Sequence, residues 1–174
     1  MHQGKKDRNM KRQFATFRLG ESLFGIDVLL VDEVNRQLNQ IPVAGAPSFV
    51  SGLLNLRGQI VTVVDLSVKI GAGDRDITSK SRCVVLKTSR RINCFREQGV
   101  LDDDTCSDIV GLLVSRIEDM VTVDDSDIDP APANVTDVAS RYVAGIVQLD
   151  KGLLNILRVR EVVAHGEAEF ACAS

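Results

Sequence analysis

The chain has 174 residues, 44% of them apolar, with a formal net charge of −3 and a pI near 5.4. That length suits one domain or two small ones with an ordinary core, and the acidic balance argues against a nucleic-acid-binding protein. No run approaches the roughly 20 apolar residues that span a bilayer.

Lys5, Lys6, Arg8, Lys11 and Arg12 make a basic head over residues 1–12, expected to be disordered. Phe14–Leu19 alternates and holds Arg18, which suits a first strand and not the apolar stretch of a signal peptide. A cytoplasmic protein with no direct membrane insertion is expected. Gly20-Glu21-Ser22 reads as a turn and Leu23–Asp27 as a second strand. Val28, Val31 and Val34 follow at the i, i+3, i+6 spacing of a short helix or 3₁₀ segment. Gln37–Val43 runs extended to Pro42. Ala46–Gly52 offers a helical turn begun by Pro47.

Phe49–Leu66 is two apolar runs broken at Arg57-Gly58-Gln59, a β-hairpin with an arginine at its tip. Gly58 can take positive φ without steric cost there. Ile70–Lys80, rich in Gly, Asp and Ser, reads as a linker. Beyond it, Arg82–Thr88 and Val110–Ser115 read as strands, Arg116–Met120 as a short helical segment, and Tyr142–Leu149 with Leu153–Val159 as a second hairpin. Residues 93–108, holding Asp102, Asp103, Asp104 and Asp108, form an acidic insertion where a short turn belongs. Disorder or a private recognition loop is expected of it. Residues 166–174 should be a frayed tail.

The landmarks repeat. Gly25 is answered by Gly111 (111 − 25 = 86), Pro42 by Pro130 (130 − 42 = 88) and Gly52 by Gly145 (145 − 52 = 93). Two copies imply a pseudo-symmetric pair of units, of which only the first keeps an arginine at the hairpin tip. Each half alone would fold marginally, so the two should share a core.

Catalytic chemistry is missing from the pattern. His2 and His165 stand near the two ends, and no nucleophile elbow, P-loop or metalloprotease motif occurs. Asp125-x-Asp127-x-Asp129 fails as a calcium loop, with Pro130 at the glycine position and Thr136 at the glutamate position. Cys83, Cys94, Cys106 and Cys172 lack metal-site spacing, and a cytosolic setting disfavours a disulfide. No enzyme and no cofactor is expected. Taken singly, Arg57 is a solvated turn residue, Glu33 a surface charge and the three valines a core face. Together they suit a binding module.

Phe24-Gly-Ile-Asp-Val, Ile41-Pro-Val43 and Gly52-Leu-Leu-Asn-Leu-Arg-Gly58, followed by Ile60–Leu66, resemble the CheW family of bacterial coupling proteins, over roughly residues 13 to 163. The resemblance implies a mainly β fold with short helices: two pseudo-symmetric five-stranded SH3-like barrels sharing an apolar interface. The expected organisation is one domain over 13–165, with subdomains about 20–70 and 80–163 and the first strand open to sharing. It also implies a non-catalytic adaptor that joins chemoreceptors to a CheA-type histidine kinase and is recruited to membrane receptor arrays. Val28, Val31, Val34, Glu33 and Arg57 match receptor-binding positions. Ile41, Pro42, Val43, Gly52 and Gly58 match the edge that docks the kinase's regulatory domain. Ser115, Arg158 and the 93–108 segment depart from the family pattern, which leaves room for an adaptor of a gliding, pili or developmental pathway. A small-ligand or nucleic-acid-binding pair of barrels is the more distant alternative.

Overall fold

The computed structural model describes residues 10–73, 76–132 and 137–170. Residues 1–9 of the head, expected to be disordered, and residues 171–174 of the tail, expected to be frayed, lie outside the described residues, whereas Lys11 and Arg12 of the head are ordered in a strand, paired with Asp124 and Val123. The strands in chain order are β1 (Lys11–Leu19), β2 (Ser22–Asp27), β3 (Val31–Asn35), β4 (Val50–Leu56), β5 (Gln59–Asp65), β6 (Arg82–Leu86), β7 (Val110–Val114), β8 (Arg116–Ile117), β9 (Val121–Asp124), β10 (Val143–Leu149) and β11 (Gly152–Leu157). The α-helices among the described residues are α1 (Leu66–Lys69), α2 (Ser89–Glu97), α3 (Asp137–Tyr142) and α4 (Val159–Phe170). The mainly β expectation holds.

The strands form two sheets of one design. In the first, β4 and β5 form a hairpin, β5 runs parallel to β7, and β7 pairs antiparallel with β6, whose far edge carries β3. In the second, β10 and β11 form the hairpin, β11 runs parallel to β2, and β2 pairs with β1, whose far edge carries β8 and β9. Sheet membership does not follow the linker at Ile70–Lys80. Hairpin β6–β7 completes the sheet of β3–β5, and hairpin β1–β2 completes that of β8–β11. Each repeat lends its first hairpin to the other.

The repeated glycines sit at equivalent bulges, between Val50 and Gly52 and between Val143 and Gly145. A Cβ on Gly52 would lie 2.6 Å from the Ile41 carbonyl oxygen, and one on Gly145 would lie 2.9 Å from that of Asp129. Those carbonyls belong to matching bridges, Ile41 with Leu53 and Asp129 with Ile146. Only a residue without a side chain lets the crossing strand approach so closely.

Three apolar clusters follow from this plan. Leu54, Val61, Val63, Cys83, Val85 and Leu113 fill one unit, and Phe14, Leu23, Val123, Val147, Leu154 and Ile156 fill the other. Between them lies the largest cluster, where Phe17 and Ile26 of one sheet meet Val84, Leu86 and Leu112 of the other. Val159, Val162 and Val163 place α4 against this shared core.

Several local readings change. Val28–Leu30 is a single 3₁₀ turn capped by Asp27, and the chain then enters β3 instead of continuing helically. Ala46–Gly52 holds a β-turn, with the Val50 amide donating to the Pro47 carbonyl at 2.9 Å, and no helix. Arg116–Ile117 is a strand. Asn93–Glu97 belongs to α2, and residues 98–109 pack Leu101 and Cys106 into the shared core. The tail reading gives way to helix over Val159–Phe170.

Asp103 and Asp104 of that segment are held in place. Asp103 is buried, and its carboxylate accepts from the amides of Val159 (2.7 Å) and Arg160 (2.9 Å) at the start of α4. Asp104 pairs with Arg96 at 3.0 Å, and Asp102 faces Arg160 at 3.7 Å. In the first repeat Asp65 caps its own helix, accepting from the Val68 amide at 3.3 Å. Arg158 precedes α4 at the equivalent point and cannot accept, so Asp103 supplies the cap from elsewhere in the chain.

A candidate partner-binding surface

The expected receptor-binding residues gather at β3 and the tip of the β4–β5 hairpin. The i, i+3 spacing that suggests a helix is satisfied by a β-bulge. Val31 opposes Leu86, Glu33 opposes Val85 and Val34 opposes Val84, so Asp32 is the extra residue. Cross-strand partners share a face, which puts Val31 and Val34 together on the side of Leu86 and Val84. Val31 packs against the shared core while Val34 stays 44% exposed. Glu33 takes the other face, with Val85. Val28 sits on the 3₁₀ turn just before, half-buried.

Arg57 reaches Glu33 there, Nη1 to Oε2 at 3.2 Å, tying the hairpin tip to the opposite edge of its sheet. The tip is a two-residue turn with φ +52° at Arg57 and +81° at Gly58, and the Gly58 amide donates to Asn55 Oδ1 at 2.9 Å. Gly58 meets the positive-φ requirement at no cost. Arg57 does not: among the described residues it alone, apart from glycines, has positive φ, at a cost of about 1 kcal/mol. Its side chain is 85% exposed, and so exposed an ion pair returns no more than about 1 kcal/mol. Stability therefore does not explain an arginine here.

The expected kinase-docking residues form a second patch. Ile41, Pro42 and Val43 are exposed, Ile41 at 72%. Ile41 bridges Leu53, and the register Leu53–Thr62 and Asn55–Ile60 places Ile41, Leu53 and Ile60 on one outward face. Gly52 is buried beneath Ile41, so it shapes this patch without offering a surface. Ile60, 58% exposed, is missed by motif reasoning. The hairpin's own alternation carries the signal: Leu54, Val61 and Val63 point inward, which leaves Leu53 and Ile60 as apolar residues on the outer face.

Charge on β3 acts inward as well. Burial first, and the nearby Glu33 carboxylate second, push the Cys83 thiol up to about 12, so it stays protonated and behaves as a small core residue. Among the described residues no cluster of Cys, His, Asp or Glu suits a metal ion. No helix among them is long and apolar enough to cross a membrane.

A family model described as the CheW-like domain matches residues 13–167. The chain belongs to the CheW-like family. The chemotaxis protein CheW of Rhizobium meliloti is 26% identical over 163 residues, covering 94% of each chain. The probable chemotaxis protein CheW of Rhizobium etli is 25% identical, covering 92% of each. The solved structure of the scaffolding protein TtCheW from Thermoanaerobacter tengcongensis superposes with a TM-score of 0.69 at 27% identity, covering 85% of this chain and 89% of that one. This is a CheW-like adaptor of the chemotaxis type, and its two-sheet fold matches a scaffolding protein of that family.

Proposed function

We propose that the chain is a non-catalytic coupling adaptor that holds a chemoreceptor tip against the regulatory domain of a CheA-type histidine kinase. The observation carrying this reading is Arg57, exposed and in an unfavourable backbone conformation at a hairpin tip, beside apolar side chains that face solvent. Backbone strain retained at an exposed residue points to a function for that residue. Val28, Val31 and Val34, edged by Glu33 and Arg57, offer a ridge for the apolar face of a helical receptor tip. Ile41, Pro42 and Val43, joined by Ile60 and shaped by Gly52 and Gly58, offer an outward sheet face to the kinase. Coupling requires that the contacts differ between kinase-on and kinase-off arrangements.

The test is binding by biolayer interferometry to a soluble receptor-tip fragment and, separately, to the kinase regulatory domain, both encoded in the same genome. Arg57→Ala should weaken the tip complex about 30-fold, the equivalent of a hot-spot loss near 2 kcal/mol. Ile41→Glu with Ile60→Glu should weaken the kinase complex. Wild-type protein that binds neither would overturn the reading.

A further inference from the structure

A different kind of surface lies where the chain passes from one sheet to the other. Ser115 alone separates β7 of the first sheet from β8 of the second, and its amide donates to the Arg18 carbonyl at 3.1 Å. On the first sheet β6 alternates: Cys83 and Val85 fill one unit, whereas Val84 and Leu86 turn to the shared core. Arg82 takes the side of Val84, one position past Cys83, where the pairing with β3 stops. On the second sheet β8 ends the strand order, and Arg116 and Ile117 pair with Arg18 and Phe17 of β1. An open cleft of about 400 Å³ here is lined by Lys80, Arg82, Arg116, Ile117 and Glu118.

The lining is unbalanced in charge. Three cations face one carboxylate, in a chain whose net charge is −3. That carboxylate is already shared: Glu118 Oε1 accepts from Arg116 Nε at 2.9 Å and from Arg18 Nε at 3.3 Å. Arg82 is held by neutral groups instead. Its Nη1 donates to the carbonyls of Ser79 at 2.8 Å and Ser81 at 2.7 Å, which orients the guanidinium without neutralising it. Among the described residues neither Arg82 nor Lys80 has a carboxylate partner, and no bond occupies Arg82 Nε or Nη2, the side of the fork that receives a carboxylate. Like charges gathered in one cleft oppose the folded state, and a bound anion removes that cost.

We propose that this cleft binds an acidic segment of a protein partner, whose neighbouring carboxylates meet the excess positive charge while an apolar side chain rests on Ile117. None of the five lining residues belongs to the receptor or kinase patch, so the site is a third contact surface and does not depend on the coupling reading. Arg82, fixed in advance, loses little freedom on gripping a carboxylate, and the unbalanced charge rejects basic segments. The lining has no aromatic ring on which a nucleic-acid base could stack.

The probe is a capped peptide with paired glutamates on either side of one leucine, added to the isotope-labelled full chain and followed by amide NMR shifts. Shifts should gather at residues 79–82 and 115–118, saturate, and weaken with added salt. Lys80→Glu reverses a charge that holds no other part of the described structure. It should weaken binding about tenfold with an unchanged melting midpoint. Glu118→Gln removes the one lining carboxylate and should strengthen binding about threefold, a gain that a merely structural role would not produce. Equal affinity in wild type and both variants would overturn the site. A response spread evenly over Arg36, Arg90 and Arg158 would do the same, because it marks a general ion atmosphere. A glutamine version of the peptide that binds as tightly would overturn recognition by charge. Inorganic phosphate that shifts the same amides and displaces the peptide at equal concentration would overturn the acidic segment as occupant. Receptor-tip and kinase binding, reported by Arg57→Ala and Ile41→Glu, stand or fall apart from these results.

Discussion

Replacing Asp103 by alanine removes an acceptor that two amides share, the first of them buried. The Val159 and Arg160 amides open α4, and the carboxylate receives them at 2.7 and 2.9 Å. A lost N-cap costs about 0.5–2 kcal/mol, and a buried donor left unsatisfied costs about 1–3. Some of that overlaps, so about 2–3 kcal/mol is expected, which is about 5–10 °C in melting midpoint for a domain this size. Urea unfolding followed by far-UV circular dichroism measures it, with the slope unchanged. Asp102→Ala is the control, because that carboxylate is fully exposed and should leave the midpoint unmoved.

The pH dependence carries a sign. Burial raises the Asp103 carboxyl above its ordinary value, against the opposing pull of its backbone hydrogen bonds and Arg160. The folded state therefore holds that proton more tightly than the unfolded chain. Its contribution is fully present below about pH 4, the unfolded value, and declines as pH rises through the folded value. Wild type minus Asp103→Asn should show this fall. A loss below about 0.5 kcal/mol in Asp103→Ala, with α4 intact, would refute the capping argument.

Arg57→Gly should leave stability within about 1 kcal/mol of wild type, because relief of strain offsets loss of the exposed pair and added chain entropy. Tip binding should nonetheless fall, which titration beside a thermal melt would separate. Gly52→Ala drives a Cβ into the Ile41 carbonyl, and the bridge amides of Ile41 and Leu53 should exchange with deuterium faster while those of β7 keep their protection. Iodoacetamide at pH 8 should label exposed Cys94 and spare Cys83, whose thiol titrates near 12; peptide mass spectrometry reads both.

Much of this was legible because local chemistry and global fold agree. The Arg57-Gly58 break needs positive φ and the structure supplies it, and Gly52 and Gly145 repeat because each lies under a crossing backbone. The valine spacing misled: a bulge places Val31 and Val34 on one face, and periodicity cannot distinguish that from a helical turn. Asp103 and Asp104 read as solvated because their partners, the start of α4 and Arg96, are close only after folding. The hairpin exchange was invisible for a related reason. A repeat shows which segments are alike, not which copy each one packs against.

That exchange bears on ancestry. A single repeat, β1 through α1, would have a first hairpin with no sheet to join and a three-stranded remainder with an open edge. Two separate copies could satisfy both needs only by trading hairpins, as a domain-swapped homodimer with two-fold symmetry. Joining the copies through Ile70–Lys80 makes that trade intramolecular, at an effective concentration set by a short tether and independent of protein concentration. Once joined, the copies are free to diverge, so one hairpin tip can keep its arginine while the other carries Asp150 and Lys151. An adaptor with two different faces is then available from one symmetric precursor.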